Sequence, residues 1–466
     1  MTTEKSINNI AQTSKNKVMD DKDVVSVEVD SFATFGPIER DKSRLLKNGV
    51  WIASGQGFAA LATLGGVRLI TELASPSLFG SFVLLNGLLN LVQGILFQPL
   101  AQAALRYYPE FSKSAHILEL RRHMSTVFRL RWFCGLAVMT GLALIDITTT
   151  HYLTFTSWLL LAAALGIEGW KTVELVMRNA ARNQKAYSAF FIADSLARPI
   201  GAVLAAYFFN VSVELLLLGQ TLGTFLVLVS FSHFSKSRIQ QNRAEYPLDV
   251  VLNERLTKGM AQFAAPLLWT SLVCWFSAQA DRYIVGGMIG IAQAGIYAAA
   301  YGLTSRPLLM IGTANEATLR QVLYTAVSRG DRRGMLKASC VWLGLNLAMS
   351  TIIASLIVIF SEPIVRCLLA EPYRETSISL IPWLVFGHVP LLAAQAIERL
   401  LYAVQRTHAV LFVQAISACV SIIVAVLGAT WAGLIGVAVA VPVYYSLQLL
   451  MTLWIAFNSI KDPIYN

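Results

Sequence analysis

Charge is scarce along this chain. Of its 466 residues, 14% are Asp, Glu, Lys or Arg, against about a quarter in a soluble domain. With 56% of residues hydrophobic, water alone cannot be the solvent of the fold. Cysteine is also sparse. Cys134, Cys274, Cys340, Cys367 and Cys419 are scattered singly, which excludes a disulfide framework and leaves each as a small hydrophobe expected to be buried. The six histidines form no HxxH or HxxxH array, so neither a structural nor a catalytic metal is expected. The first 49 residues have no apolar core, which excludes a secretory signal peptide and leaves a disordered cytoplasmic tail. Also missing are a phosphate-binding glycine loop, a nucleophile–base pair and any nucleotide or cofactor motif. An enzyme and an ATP-driven pump are therefore not expected.

What the chain does have is long apolar runs. A helix needs about 20 such residues to cross the hydrocarbon core. With that ruler the spans fall at 50–70, 79–105, 132–147, 152–170, 189–209 and 213–233, then 259–289, 293–319, 338–360, 378–398, 408–428 and 432–457. The net charge of +10 is distributed as in a membrane protein rather than as a nucleic-acid-binding patch. With the N-terminus inside, 31 of the 37 basic residues fall in cytoplasmic segments. Only Arg366 and Arg374 fall outside, and Arg68, Arg198, Arg282 and Arg306 remain within spans. That asymmetry orients the chain. The sequence thus predicts an all-α integral membrane protein of twelve transmembrane helices, with both termini in the cytoplasm. The external loops near 148–151, 210–212 and 429–431 are so short that the flanking spans must form tight antiparallel hairpins.

The polar stretch 235–258 separates two sets of six spans. The expected organisation is a tail at 1–49, a lobe at 50–234, a linker at 235–258, a second lobe at 259–457 and a tail at 458–466. The opening of each set carries a faint echo. Gly80-Ser-Phe and Gly295-Ile-Tyr occupy matching places, and Arg68 precedes Arg106 by the same 38 residues that separate Arg282 from Arg320. Copies six spans apart run in the same direction, with a substrate path expected at their interface.

Gly65-Gly-Val-Arg68, Ser75-Pro-Ser-Leu-Phe-Gly80 and Arg106-Tyr-Tyr-Pro-Glu110 resemble the opening of bacterial polysaccharide transporters. Those are the O-antigen and exopolysaccharide flippases of the multidrug/oligosaccharidyl-lipid/polysaccharide (MOP) exporter superfamily. Pro266, Asp281-Arg282, Gly295-Ile-Tyr297 and Pro307 are similar in kind. The likeness covers the first two spans of each half. It implies a V-shaped bundle of two six-helix lobes in the bacterial inner membrane. Such a bundle would flip a polyprenyl-diphosphate-linked oligosaccharide by alternating access, alongside other polysaccharide-assembly proteins and with no nucleic acid.

Intramembrane ionisable residues are where function is expected, because a charge in hydrocarbon costs several kcal/mol (roughly) unless it has a partner. Asp194 and Arg198 share one helix face, either as a self-neutralising pair or with the arginine lining a polar lumen. Arg306 has no acid within four residues and must find a partner elsewhere or face water. A guanidinium fork suits a diphosphate, so Arg198, Arg306, Arg282 and Arg68 are the candidate substrate-binding residues. For Arg68 the competing reading is snorkelling at the outer interface. Asp194 and Asp281 are the candidate acids for coupling to a proton or sodium gradient. Glu168, Glu174, Lys171 and Arg178 are expected at the inner end of the fourth span, solvated and paired along the helix. The competing function is a small-molecule or multidrug secondary transporter. A major-facilitator protein lacks support, since Arg106-Tyr-Tyr-Pro-Glu-Phe-Ser replaces its GxxxDRxGRR loop. An O-antigen polymerase or ligase would need a larger external loop than any present.

Overall fold

A computed structural model describes residues 42–113, 117–149, 153–181, 183–239 and 250–461. Most of the expected tail at 1–49, the centre of the linker, the tip of the predicted hairpin near 148–151 and the end of the C-terminal tail lie outside the described residues. The chain divides into Met1–Val50 and Trp51–Asn466. The first contributes the opening turns of the first helix, and all later helices belong to the second.

Every regular element among the described residues is a helix. In chain order they are α1 (Lys42–Leu73), α2 (Pro76–Leu96), α3 (Gln98–Lys113), α4 (Ile117–Thr149), α5 (Phe155–Ala180), α6 (Gln184–Phe208) and α7 (Val213–Ile239). There follow α8 (Val250–Met288), α9 (Ile291–Ser328), α10 (Arg332–Ile359), α11 (Ser361–Leu368), α12 (Glu371–Ala403) and α13 (Thr407–Lys461). Eight of the described helices are long and apolar enough to cross a membrane, and α13 is long enough to do so twice. Three predicted spans fall outside that set: α1, α5 and α9. The last two carry charged side chains part-way along, Glu168 and Lys171 in α5 and Arg306 and Glu316 in α9.

The predicted span 79–105 is not continuous. The helix breaks at Phe97, because Pro99 has no N–H to give the Ile95 carbonyl. The two tight hairpins that are fully described form as expected. Ala432 and Gly433 leave helical geometry, with Gly433 at φ 58°, and the arms of α13 return antiparallel. Gly428 faces Gly436, and Ser417 donates to Gln448 (3.2 Å). Likewise α6 and α7 turn at Phe209–Ser212, with Gly201 on Gly219 and Gly223 on Ala197. In lipid, helices associate through close packing rather than a hydrophobic drive, so small residues mark these seams.

The echo of the two halves becomes a contact. A Cβ on Gly80 would strike the Ile291 carbonyl, and one on Gly295 would strike the Pro76 carbonyl. The outer ends of α2 and α9 therefore touch backbone to backbone, reciprocally. Around this contact a core cluster joins Ile70, Ala74 and Phe79 to Leu369, Tyr373 and Ile381. A separate cluster packs Leu100, Ala103 and Met124 with Met177, Met260 and Ala264.

Two expectations about side chains are corrected. All five cysteines are exposed rather than buried, since helix surfaces facing lipid tolerate a small apolar thiol as well as a core does. Trp158 stands near a span edge, where the sequence suggests an interfacial anchor, but it is buried and donates its indole N–H to Asp146 of α4 (3.1 Å).

Candidate functional site

The charges of α5 and α6 form one network. Thr154 caps α5 by accepting from Ser157 N–H (3.1 Å). From there the helix places Glu168 and Lys171 on the side facing α6. Lys171 binds Asp194 (3.0 Å) and also Glu168 one turn back. Glu168 in turn binds Arg198 (3.0 Å). Asp194 and Arg198 thus share a face of α6 without pairing with each other. Each instead pairs across to α5. The four charges cancel, as burial at this depth requires. Glu168 and Lys171 are buried, against the expectation that both would be solvated at the inner end of the span. The reason is that their partners are on α6, four residues apart from one another. Arg198 is the open member of the set, its side chain 29% exposed against 9% or less for the other three.

A second polar cluster surrounds Asp281 and Arg282 of α8. Tyr297 of α9 donates to Asp281 (2.7 Å). The Arg282 guanidinium lies over the Tyr301 ring at 4.4 Å, a cation–π arrangement, and donates to the Ala278 carbonyl (2.9 Å) and to Gln279. Tyr301 and Tyr445 join hydroxyls (3.3 Å). His388 of α12 stands edge-on to Tyr301 at 5.0 Å, with Nδ1 on the Leu384 carbonyl (2.7 Å) and Nε2 buried without a hydrogen-bond partner. Arg282 is buried, so this cluster is a wall rather than an opening.

Arg306 is different. It is exposed in the middle of α9, roughly 22 Å from the outer end of that helix at 1.5 Å per residue. No ion pair or hydrogen bond holds it among the described residues. Arg282 and Arg198 are the cations within its electrostatic reach. Arg306 is exposed and Arg198 partly so.

Arg68 lies apart from them. At the outer end of α1 it pairs with Glu72 one turn on and donates to the Leu369 carbonyl between α11 and α12. Beside it Tyr373 of α12 donates to the Ala74 carbonyl (2.8 Å) and meets Phe79 edge-on at 5.9 Å. Arg68 thus belongs to a tie between the outer ends of α1 and α12.

Sequence reasoning missed Tyr297, Tyr301, His388 and Tyr445, which line the Arg282 wall. One signal was available: Tyr297 and Tyr301 stand one turn apart near the start of α9, the helix that follows Asp281-Arg282. For His388 and Tyr445 no local signal exists, because their partners lie on other helices. Among the described residues no group of three His, Cys, Asp or Glu is arranged to hold a metal ion.

A helical membrane bundle with a reciprocal contact between its halves and a charged interior has the fold of the MOP exporters, which are transporters and flippases rather than enzymes. An inward-facing multidrug resistance MATE family transporter of that superfamily superposes with a TM-score of 0.67 at 11% identity, over 88% of this chain and 94% of the other. The lipid II flippase MurJ, inward closed, gives 0.67 at 13%, over 90% and 88%. A MATE transporter of Vibrio cholerae gives 0.62 at 13%, over 91% and 99%. The chain belongs to the polysaccharide biosynthesis protein family, which matches residues 69–336. The MatE family also matches residues 266–427. No curated protein matches it. The protein is a multi-pass membrane protein.

Proposed function

We propose that this protein flips a polyprenyl-diphosphate-linked oligosaccharide from the inner to the outer leaflet of the cytoplasmic membrane, for O-antigen or exopolysaccharide assembly. The observation that carries this reading is Arg306, exposed in mid-α9 and without an ion pair among the described residues, together with Arg198 at the open edge of its ion-pair network. Two accessible guanidinium groups on separate helices fit a diphosphate, which offers several oxygens to forked donors. The buried Glu168–Lys171–Asp194 chain holds Arg198 at its edge, so the cation is positioned without being consumed by its own counter-ion. Residues 50–234 and 259–457 are the two lobes in this reading. Alternating access then requires the outer tie of Arg68, Tyr373 and the Gly80–Gly295 contact to open once the headgroup is loaded from inside. Other polysaccharide-assembly proteins supply the substrate and receive it.

The experiment is deletion of the gene in its host, with surface glycan and lipid-linked repeat units measured. Repeat units accumulating on the inner leaflet support the flippase. Unchanged glycan with altered sensitivity to cationic drugs refutes it. The same assay separates the arginines. Arg306→Ala should lower flipping at least tenfold, and Arg306→Lys should retain part of it, because a point charge lacks the fork. Full activity in both variants removes Arg306 from the site.

A second reading, a small-molecule or multidrug secondary transporter, is favoured by the MatE match and the multidrug neighbours. Its cationic cargo would need exposed acids in the interior, whereas the accessible groups here are arginines. Asp194 and Asp281 stay in the proposal as coupling acids. Asp194 already holds Lys171, and Asp281 already holds Tyr297. Retained gradient dependence in Asp194→Asn excludes Asp194.

A further inference from the structure

Glu398 took no part in the sequence reading, which placed it at the edge of a span. In the structure α12 runs on to Ala403, and Glu398 is 3% exposed. Its chain neighbour Arg399 turns away to Glu316 of α9 (3.1 Å). What meets the carboxylate instead is a pair of neutral amides, one from each arm of α13. Gln448 Nε2 donates to Oε1 (3.0 Å) and Gln414 Nε2 donates to Oε2 (3.3 Å).

Each amide is oriented by a second bond. The Gln448 carbonyl accepts from Ser417 Oγ (3.2 Å), and the Gln414 carbonyl accepts from the Cys274 thiol of α8 (3.6 Å). Both glutamines therefore aim donors, and only donors, at Glu398. That arrangement suits the ionised carboxylate, which is acceptor-only. The neutral acid is a weaker acceptor than the carboxylate, so adding a proton weakens both bonds and loosens the hold of α12 on the α13 hairpin.

The other charged and titratable groups facing this cluster are few. Its own helix supplies Arg399 and Tyr402, α8 supplies Cys274, and α9 supplies Glu316, which also holds Arg320 (3.3 Å). From α13 come the amides and Ser417. A carboxylate bonded to amides gives up less on protonation than one bonded to an ammonium group, as Asp194 is.

We propose that Glu398 is a proton-binding site whose occupancy switches the attachment of α12 to the two arms of α13. The inference rests on the transport reading only for the use to which the switch is put, and proton binding can be measured without any lipid-linked substrate. The test is infrared pH-difference spectroscopy of the full chain in lipid nanodiscs. A carboxylic acid band of a buried group should grow as pH falls, be absent in Glu398→Gln and persist in Asp194→Asn. An unchanged band in Glu398→Gln overturns the proposal. So does a spectrum that responds to sodium at constant pH rather than to pH. Gln414→Leu keeps the carboxyl group and removes one donor to its charged form, so the midpoint of the band should rise by about one pH unit. A midpoint that stays in place also overturns the proposal, whether or not the Glu398→Gln protein folds.

Discussion

Lys171 is the residue on which the interior charges depend. It is bonded to Glu168 and Asp194 together, and both acids are buried. Removing it in Lys171→Met leaves an excess negative charge in the bilayer, a loss of about 3–5 kcal/mol. Thermal unfolding of the purified protein should show a lowered Tm, and the added change Asp194→Leu should restore most of it. A Tm unaffected by Lys171→Met would mean that water reaches the network. Part of this site was legible beforehand. Arg306 stood out because no acid lies within a helical turn of it, and an unpaired arginine in a span is a local property of the sequence. The partners of Arg198 and Asp194 were not legible, because they are chosen by the packing of α5 on α6. The chain names the charges, and only the helix contact says which of them meet. Glu398 was hidden for a related reason: a span edge drawn from hydropathy stops where the first charge appears, although the helix and its burial continue.

At the level of helices, short loops were enough to foresee the α6–α7 and α13 hairpins, since two spans joined by a few residues have nowhere else to pack. The seam is made by glycine, with Gly201 on Gly219 and Gly428 on Gly436. Gly219→Leu should force α6 and α7 apart at the point where Arg198 is one turn away. Lowered thermal stability is expected, and flipping should fall more than stability alone explains. Gly433 sits at φ 58° and ψ −136°, a region that a β-branched residue enters at a cost of about 1–3 kcal/mol. Gly433→Val should therefore lower Tm, whereas Gly428→Ala tests the contact alone. The break at Phe97 falls beside Pro99, a residue type that kinks or loosens a membrane helix.

For the whole molecule, the arginines and lysines of the sequence give an expected orientation, but nothing local in it gives the contacts of a gate. In the proposed alternating-access cycle, closure on the outer side depends on Arg68 reaching the Leu369 carbonyl and Tyr373 reaching the Ala74 carbonyl. These are links across about 300 residues of chain, and no local pattern encodes them. Each such hydrogen bond is worth about 1 kcal/mol, enough to move an equilibrium between gate states several-fold. Tyr373→Phe, and Arg68→Ala more strongly, should favour the outward-open state. A cysteine introduced at Ile296, which is buried in the outer core, should then react faster with a membrane-impermeant maleimide added from outside. Equal rates in the parent and both variants would show that the tie does not control the gate.

The contact of Gly80 with Ile291 and of Gly295 with Pro76 has interchangeable sides, which is how two identical subunits meet about a twofold axis. Such a joint needs no peptide link to form it. Two gene fragments, encoding residues 1–244 and 245–466 and expressed together, should find each other in the membrane and restore surface glycan, where either fragment alone does not. The same geometry fits descent from a half-length ancestor that worked as a homodimer, with the joint older than the chain that now spans it.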